Sequence, residues 1–142
     1  MKHKPGVIRL DAEHDMSPWE PMTLVGELAA GKAPMERFHR VHEKNLPAPC
    51  TVRAGLWEAE AYSERLEDYP YDEIVFVVEG SISIVDEDGN DERFETGDCF
   101  FLQRGFNGYW NQLQTLKIFH MTVAPLSASV IALPPIIFIK WI

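Results

Sequence analysis

From Thr51 onward the chain consists of short β-favouring segments separated by turn residues, and this pattern constrains the fold more than any other feature. The densest segment, residues 73–79, is rich in Ile, Val and Phe and ends at Gly80. Residues 81–85 alternate polar and apolar side chains, as a half-buried strand does. Turns that contain Gly, Asp or Asn recur at a spacing of roughly 8–12 residues, with no helical periodicity between them. We therefore predict an all-β fold, an antiparallel sandwich or barrel that closes to cover its strand edges.

The other segments are assigned by the same criteria. Residues 86–90 predict a hairpin turn, and residues 62–72 predict a polar loop. The first 50 residues contain six prolines and are predicted to be irregular, apart from one strand at residues 23–28. Further strands are predicted at residues 51–57, 92–94, 99–102, 109–113 and 116–123.

We expect one structural domain with three parts. Residues 1–50 form an N-terminal extension that packs on the barrel, residues 51–123 form the barrel core, and residues 124–142 form an apolar C-terminal tail. The apolar run at residues 130–139 is too short to span a bilayer, which needs about 20 residues. An exposed run of this kind would promote association, so we expect the tail to pack on the barrel or across the interface of a homodimer.

Composition narrows the class of partner. Thirteen Lys and Arg against 22 Asp and Glu give a net charge of −9, and such a surface repels phosphate backbones and anionic lipid headgroups. We therefore predict a small-molecule ligand, with neither a nucleic acid nor a membrane as partner. The N-terminus lacks the apolar core of a secretory signal, so we expect a cytoplasmic protein with Cys50 and Cys99 reduced and Cys99 in a buried strand.

Two ordered motifs in the second half of the chain resemble those of the cupin superfamily. Glu73 followed by six residues and Gly80 fits the end of the first cupin motif, and the spacing from Gly97 to Gly105 fits the second. The resemblance covers about residues 52–123 and is closest to the subfamily grouped with ureidoglycine aminohydrolase and the ethanolamine-utilisation cupin. The fragments that carry it are Gly55-Leu-Trp57, Tyr71-Asp-Glu73, Asp86-Glu-Asp-Gly89, Thr96-Gly-Asp98 and Gly105-Phe-Asn-Gly-Tyr-Trp110. It implies the double-stranded β-helix, a jelly-roll barrel.

The same resemblance raises the question of a metal. Most enzymatic cupins hold a divalent metal with histidines and a carboxylate, but the motif positions fall here on Glu67, Tyr69, Glu73 and Gly108. We therefore expect no histidine-based metal site. Glu67 and Glu73 are the candidates for a loosely held Mg or Mn, which would leave a metal-dependent aminohydrolase-like activity open.

The candidate ligand site lies at the same motif positions. Glu73 is a carboxylate that points into the barrel mouth, a solvated residue at the start of its strand, or a residue that forms a salt bridge with Arg104. With Tyr71 it is the candidate for catalysis. The candidate ligand-binding residues are Glu67, Tyr69, Trp57, Trp110 and His120. Phe76 and Phe101 are assigned to the core, and His39 and His42 to the surface or a dimer contact.

Three functions remain open at this point. The first is an enzyme that acts on a small polar metabolite, and the second is a module that binds or senses a ligand without transforming it. The missing histidines favour the second. The third function, a scaffold that recruits partners through the apolar tail, depends only on residues 126–142.

Overall fold

The computed structural model describes residues 6–46 and 50–125, so the predictions made for residues 126–142 lie outside the described residues. The described residues form eleven strands and no helix, which confirms the all-β prediction. In chain order the strands are β1 Glu20–Pro21, β2 Glu27–Ala30, β3 Met35–Leu46, β4 Cys50–Ala59, β5 Tyr62–Leu66, β6 Asp72–Glu79, β7 Ser81–Asp86, β8 Asp91–Glu95, β9 Cys99–Leu102, β10 Gly108–Gln112 and β11 Leu116–Pro125. Nowhere in these two stretches is there a helix that could cross a membrane.

The strands form two antiparallel sheets. The six-stranded sheet has the order β1-β3-β4-β11-β6-β9, and the five-stranded sheet has the order β2-β5-β10-β7-β8. Most strands that follow one another in the chain, such as β6 and β7, lie in different sheets, as in a jelly-roll barrel, whereas β3–β4 and β7–β8 are paired within one sheet. Side chains from the inner faces of both sheets share one core, which includes Leu66, Val75, Val77, Ile82 and Ile118.

Gly80 is required where the chain crosses from β6 to β7. Its φ angle of 103° lies in the left-handed region, and a Cβ atom at this position would overlap the carbonyl oxygen of Thr115. Both constraints exclude a larger residue. The physical basis of the Glu73-to-Gly80 motif is therefore an inward carboxylate on β6 and a tight crossing between the sheets.

The N-terminal segment is more regular than its prolines predict. The twelve-residue strand β3 pairs with β4 along its length, with a register shift between Arg40 and His42. Pro34 immediately precedes β3 and Pro47 immediately follows it in the sequence, so the prolines bound the strand and do not interrupt it. The prediction of an irregular segment was therefore wrong for β3, and the predicted strand at residues 23–28 overlaps β2 only at its end.

Strand β5 lies where a polar loop was predicted. Tyr62, Glu64 and Leu66 are buried on one face, and Ser63 and Arg65 point to the other. The alternation was hidden in the sequence because the central inward residue is a glutamate. The backbone of β5 pairs with both β2 and β10, so β5 is an interior strand of the five-stranded sheet.

The assignment of two phenylalanines to the core was wrong. Phe76 is 40% exposed, because the inward positions of β6 are Glu73, Val75 and Val77. Phe101 is 54% exposed, because on β9 it pairs with the outward residue Ile74. Cys99, which was predicted in a buried strand, is also exposed. All three exposed side chains belong to the outer face of the six-stranded sheet.

Candidate functional site

A cavity of about 50 Å³ lies between the two sheets. A water molecule needs roughly 15 Å³ of such space, so the cavity has room for about three water-sized groups. Both sheets and the segment between β1 and β2 contribute to its wall. The lining residues are Met22, Thr23, Val25, Glu36, Trp57, Tyr62, Glu64, Leu66, Tyr69, Glu73, Trp110, Ile118 and His120.

Glu73 is in contact with two other polar side chains of the wall. The Tyr69 hydroxyl donates a hydrogen bond of 3.0 Å to Glu73 Oε1, and Nδ1 of His120 lies 3.4 Å from Glu73 Oε2. Glu73 and His120 are 3% and 5% exposed, because β6 and β11 are neighbours and both residues occupy inward positions. Burial, and then the charge of Glu73, raises the pKa of Tyr69 well above its ordinary value, so this phenol remains a proton donor at neutral pH.

Glu36 forms a second polar contact of the wall, on β3. The indole N–H of Trp57 donates a hydrogen bond of 2.9 Å to Glu36 Oε1, and Glu36 is 3% exposed. The Trp57 ring meets the Trp110 ring edge to face, with 6.2 Å between their centroids. The indole N–H of Trp110 donates to Gln112, so both indoles are held in one orientation.

Glu64 is the third buried carboxyl group, on β5. The backbone N–H of Gly26 donates a hydrogen bond of 2.6 Å to Glu64 Oε2, and the Tyr62 hydroxyl is also hydrogen bonded to Glu64. Burial raises the pKa of the Glu64 carboxyl. Burial, followed by the charges of Glu64, Glu36 and Glu73, raises the pKa of Tyr62 well above its ordinary value. The negative potentials of all three carboxylates therefore overlap at this phenol.

Five of the seven predicted site residues line the cavity together: Trp57, Tyr69, Glu73, Trp110 and His120. They meet because β4, β6, β10 and β11 all direct alternate side chains inward, and Tyr69 reaches the wall from the loop before β6.

Glu67 and Tyr71 do not lie on the wall. Glu67 points into solvent, where its side chain is 68% exposed and forms an ion pair of 2.7 Å with Arg65, so the expectation that it shares a cavity with Glu73 is not met. Tyr71 is buried behind Tyr69, with 5.6 Å between their ring centroids. Burial raises the pKa of Tyr71 to about 12.

The structure also shows the surroundings of Arg104, His39 and His42. Arg104, the alternative partner considered for Glu73, donates its backbone N–H to the Asp72 carboxylate at 2.9 Å. The ring of His39 stacks on that of His14, with 4.1 Å between centroids, and His42 is exposed. Neither His39 nor His42 lines the cavity.

The sequence analysis did not identify three polar residues of the cavity wall: Glu36, Tyr62 and Glu64. Each lies in a segment that was predicted to be irregular or a loop, so its inward orientation could not be inferred. The only available signal was the Tyr-Ser-Glu-Arg-Leu order of β5, in which the residues at alternate positions are Tyr62, Glu64 and Leu66.

The residues at the motif positions do not fit a histidine-based metal site. Glu67 and Glu73 face different surroundings, and the Tyr69 hydroxyl is bound to Glu73. A Cβ atom at Gly108 would overlap the Val85 carbonyl oxygen and lie 2.7 Å from the Phe106 ring, so no histidine can be accommodated there. Within residues 6–46 and 50–125 there is no group of three or more His, Cys, Asp or Glu arranged to hold a metal ion.

Comparison with known proteins places this architecture in context. Residues 49–117 match a family model described as the EutQ-like cupin domain. A search of curated protein sequences finds no match.

Solved structures share the fold at low sequence identity. A DUF861-family protein of unknown function from Pseudomonas syringae pv. tomato str. DC3000 aligns with a TM-score of 0.64 at 22% identity, over 80% of this chain and 46% of that one, so this chain spans about half of that protein. KdgF from a Halomonas species aligns with a TM-score of 0.54 at 16% identity, over 88% of this chain and 98% of that one. The Clostridium difficile EutQ protein aligns with a TM-score of 0.53 at 16% identity, over 66% of this chain and 71% of that one. These likenesses concern the fold alone.

Proposed function

This chain belongs to the cupin superfamily, and we propose that it binds a small polar molecule in the cavity between its two sheets. The observation that carries the proposal is the wall itself. Three carboxyl groups, an imidazole and two phenols converge on one small space among tryptophan rings. Ligand sites typically combine an apolar, aromatic wall with a few polar groups that fix orientation.

The polar groups of the wall are already held in place. Tyr69 and Glu73 are hydrogen bonded to each other, Trp57 is bound to Glu36, and Gly26 anchors Glu64. A site whose side chains are oriented before the ligand arrives loses less conformational entropy on binding. This supports a ligand-binding function over a purely structural role for the buried polar residues.

A variant that fills the cavity tests the proposal. Val25 lines the cavity from the segment between β1 and β2, so Val25→Phe should occupy the ligand space. In a thermal-shift screen of ureides, amino acids and sugar acids, at least one compound should raise the melting temperature of the wild type by several degrees and leave Val25→Phe unchanged.

Val7→Phe is the matched control, because Val7 is fully exposed and the substitution is the same. This control should respond to the compound as the wild type does. The proposal would be overturned by a screen in which no compound stabilises the wild type, or by stabilisation that persists in Val25→Phe.

A second candidate function is that the bound molecule is also transformed by proton transfer. Tyr69, Glu73 and His120 bring a phenol, a carboxylate and an imidazole together at one point of the wall. Such groups act as general acids and bases when they contact the substrate. A metal-dependent aminohydrolase activity, by contrast, gains no support from the donor groups at the motif positions.

Substitution of the imidazole tests this candidate. A ligand found in the screen should be converted slowly to a product by the wild type, as followed by proton NMR. His120→Gln should reduce that conversion by about 100-fold or more, since general acid–base catalysis contributes at least this factor. Undiminished conversion in His120→Gln would show that the imidazole takes no part.

A further inference from the structure

An apolar surface lies on the outer face of the six-stranded sheet, on the side away from the cavity. Its side chains stand in two rows across β9, β6 and β11: Cys99, Phe76 and Phe119 in the first row, and Phe101, Ile74 and Met121 in the second. Residues that face each other on neighbouring strands point to the same side of a sheet, so the six form one surface, which we call the outer patch, with Phe101 at its rim. Ile74, Phe76 and Met121 are 40%, 40% and 39% exposed, and Phe101 is 54% exposed. An exposed group of large apolar side chains marks a surface that another segment or molecule covers.

The N-terminal segment already covers the other side of this sheet face. Leu56 continues the first row onto β4 and is only 1% exposed, although it lies on the outer face. His39 continues the row onto β3, where the ring of His14 stacks on it. The ammonium group of Lys117 donates a hydrogen bond of 2.6 Å to the backbone carbonyl of Ala12. Within residues 6–46 and 50–125, the outer face is therefore covered beside β3 and β4 and exposed at β6 and β9.

The size of the outer patch favours a short segment of chain as its cover. An aromatic side chain removes roughly 150–250 Å² from water when it is buried, so the exposed fractions of the four most exposed side chains together represent roughly 250–450 Å². A stable interface between two proteins buries about 800 Å² on each partner, which is more than this patch offers. Two copies of the chain would also repel each other, because each has a net charge of −9.

Residues 126–142 have the composition and the starting point that such a cover requires. They contain twelve apolar residues, two prolines and one lysine, and no acidic residue. They follow Pro125, the last residue of β11, and β11 lies beside β6 in the same sheet. An extended chain advances roughly 3.3 Å per residue and three neighbouring strands span about 10 Å, so these residues can return across the patch. We therefore propose that residues 126–142, which lie outside the described residues, pack on the outer patch.

The covalent connection through β11 favours this arrangement over a separate partner. A segment that is attached to the sheet meets the patch at a high effective concentration, and it avoids the loss of translational freedom that a second molecule incurs. Packing there removes apolar side chains of both surfaces from water. The proposal is independent of the ligand cavity, which lies on the inner face of the same sheet.

The thiol of Cys99 reports whether the outer patch is covered, because it is exposed in the described part of the chain. The full-length protein is labelled with N-ethylmaleimide, and mass spectrometry of the peptide that contains Cys99 gives the labelling rate. Ile137→Asp combined with Ile139→Asp places two charges in the apolar segment and should release it from the patch. We expect this variant to be labelled at Cys99 about tenfold faster than the wild type, since the reactivity of a thiol follows its exposure.

Ser127→Asp combined with Ser129→Asp is the matched control, because it adds the same two charges at the same spacing to polar positions of the same segment. It should be labelled at the wild-type rate. A second measurement needs no substitution: a short crosslinker with a maleimide and a succinimidyl ester should join Cys99 to Lys140, the lysine of the segment, within one chain. This crosslink carries the test if circular dichroism shows that the first variant does not fold.

Three results would overturn the proposal. One is a labelling rate at Cys99 that is equal in the wild type and in the folded first variant, or the absence of the crosslink to Lys140. Another is equal acceleration in the control variant, which would show an effect of charge alone. The third is a labelling rate that falls as the protein concentration rises, together with crosslinks between two chains, which would identify a second copy as the cover. The ligand cavity is tested separately by Val25→Phe, so failure here leaves the proposed function unaffected.

Discussion

At the scale of single residues, the feature that sets this barrel apart is glutamate at inward positions. Glu36, Glu64 and Glu73 occupy places that apolar residues would fill in an ordinary jelly-roll core. Each is fixed by a hydrogen bond from a neighbouring donor, so each has a defined orientation. Their burial costs stability, and a site that must orient a polar ligand is a physical reason to retain them.

The destabilising effect of burying the Glu64 carboxylate should appear in the pH dependence of the free energy of unfolding. Because burial raises the folded-state pKa of this carboxyl above its ordinary value of 4.5, the folded protein binds the proton more readily than the unfolded chain. The contribution of Glu64 to stability is therefore fully present below that ordinary value and is lost as the pH rises through the folded-state pKa. Glu64→Gln cannot ionise, so it should gain stability relative to the wild type between about pH 4 and pH 7.

Urea unfolding of both proteins across this pH range measures the effect. Glu67→Gln controls for the loss of one negative charge at an exposed position. If the free energy of unfolding of the wild type increased relative to that of Glu64→Gln as the pH rises, the assigned direction of the pKa shift would be contradicted.

At the scale of elements, the alternation of each strand decides which side chains reach the cavity. On β9, Phe100 points inward and its ring stacks on Phe94, with 4.4 Å between centroids, and Phe100 also lies 6.1 Å from the Trp110 ring. Phe101, the next residue, points to the outer face. Neighbouring residues of identical type therefore have opposite structural roles.

This pair gives a matched test of the strand register. Phe100→Ala should destabilise the protein by about 2 kcal/mol, because it removes a partly buried aromatic ring that packs against the core beside Trp110. Phe101→Ala should cost less than about 1 kcal/mol, because its side chain is largely exposed. Equilibrium unfolding in urea measures both values. Equal costs for the two substitutions would mean that β9 does not have the register described here.

At the scale of the whole molecule, the closure of two sheets around one core creates the site. Glu36 and Glu73 come from the six-stranded sheet and Glu64 from the five-stranded sheet, so no single sheet contains all three carboxylates. The segment before β2 completes the wall with Met22, Thr23 and Val25. The cavity therefore exists only when the two sheets pack against each other.

The sequence by itself determined the class of fold and named several of the residues that meet at the cavity. The β-dense run to Gly80, the hairpin after β7 and the alternation of β11 follow from local preferences, because side-chain shape and the backbone freedom of glycine act over a few residues. The inward position of His120 followed from the alternation of β11, whereas Glu73 and Trp110 became candidates through their motif positions.

Only the tertiary structure decided which charged residues are buried. Glu64 and Glu67 lie three residues apart in a polar segment, yet one is 4% exposed within the barrel and the other is in solvent beside Arg65. Local pattern does not distinguish them, because a buried glutamate needs donors from a segment distant in the sequence, such as the Gly26 amide. Burial of a charge is a long-range property, and it requires the whole barrel to be assembled.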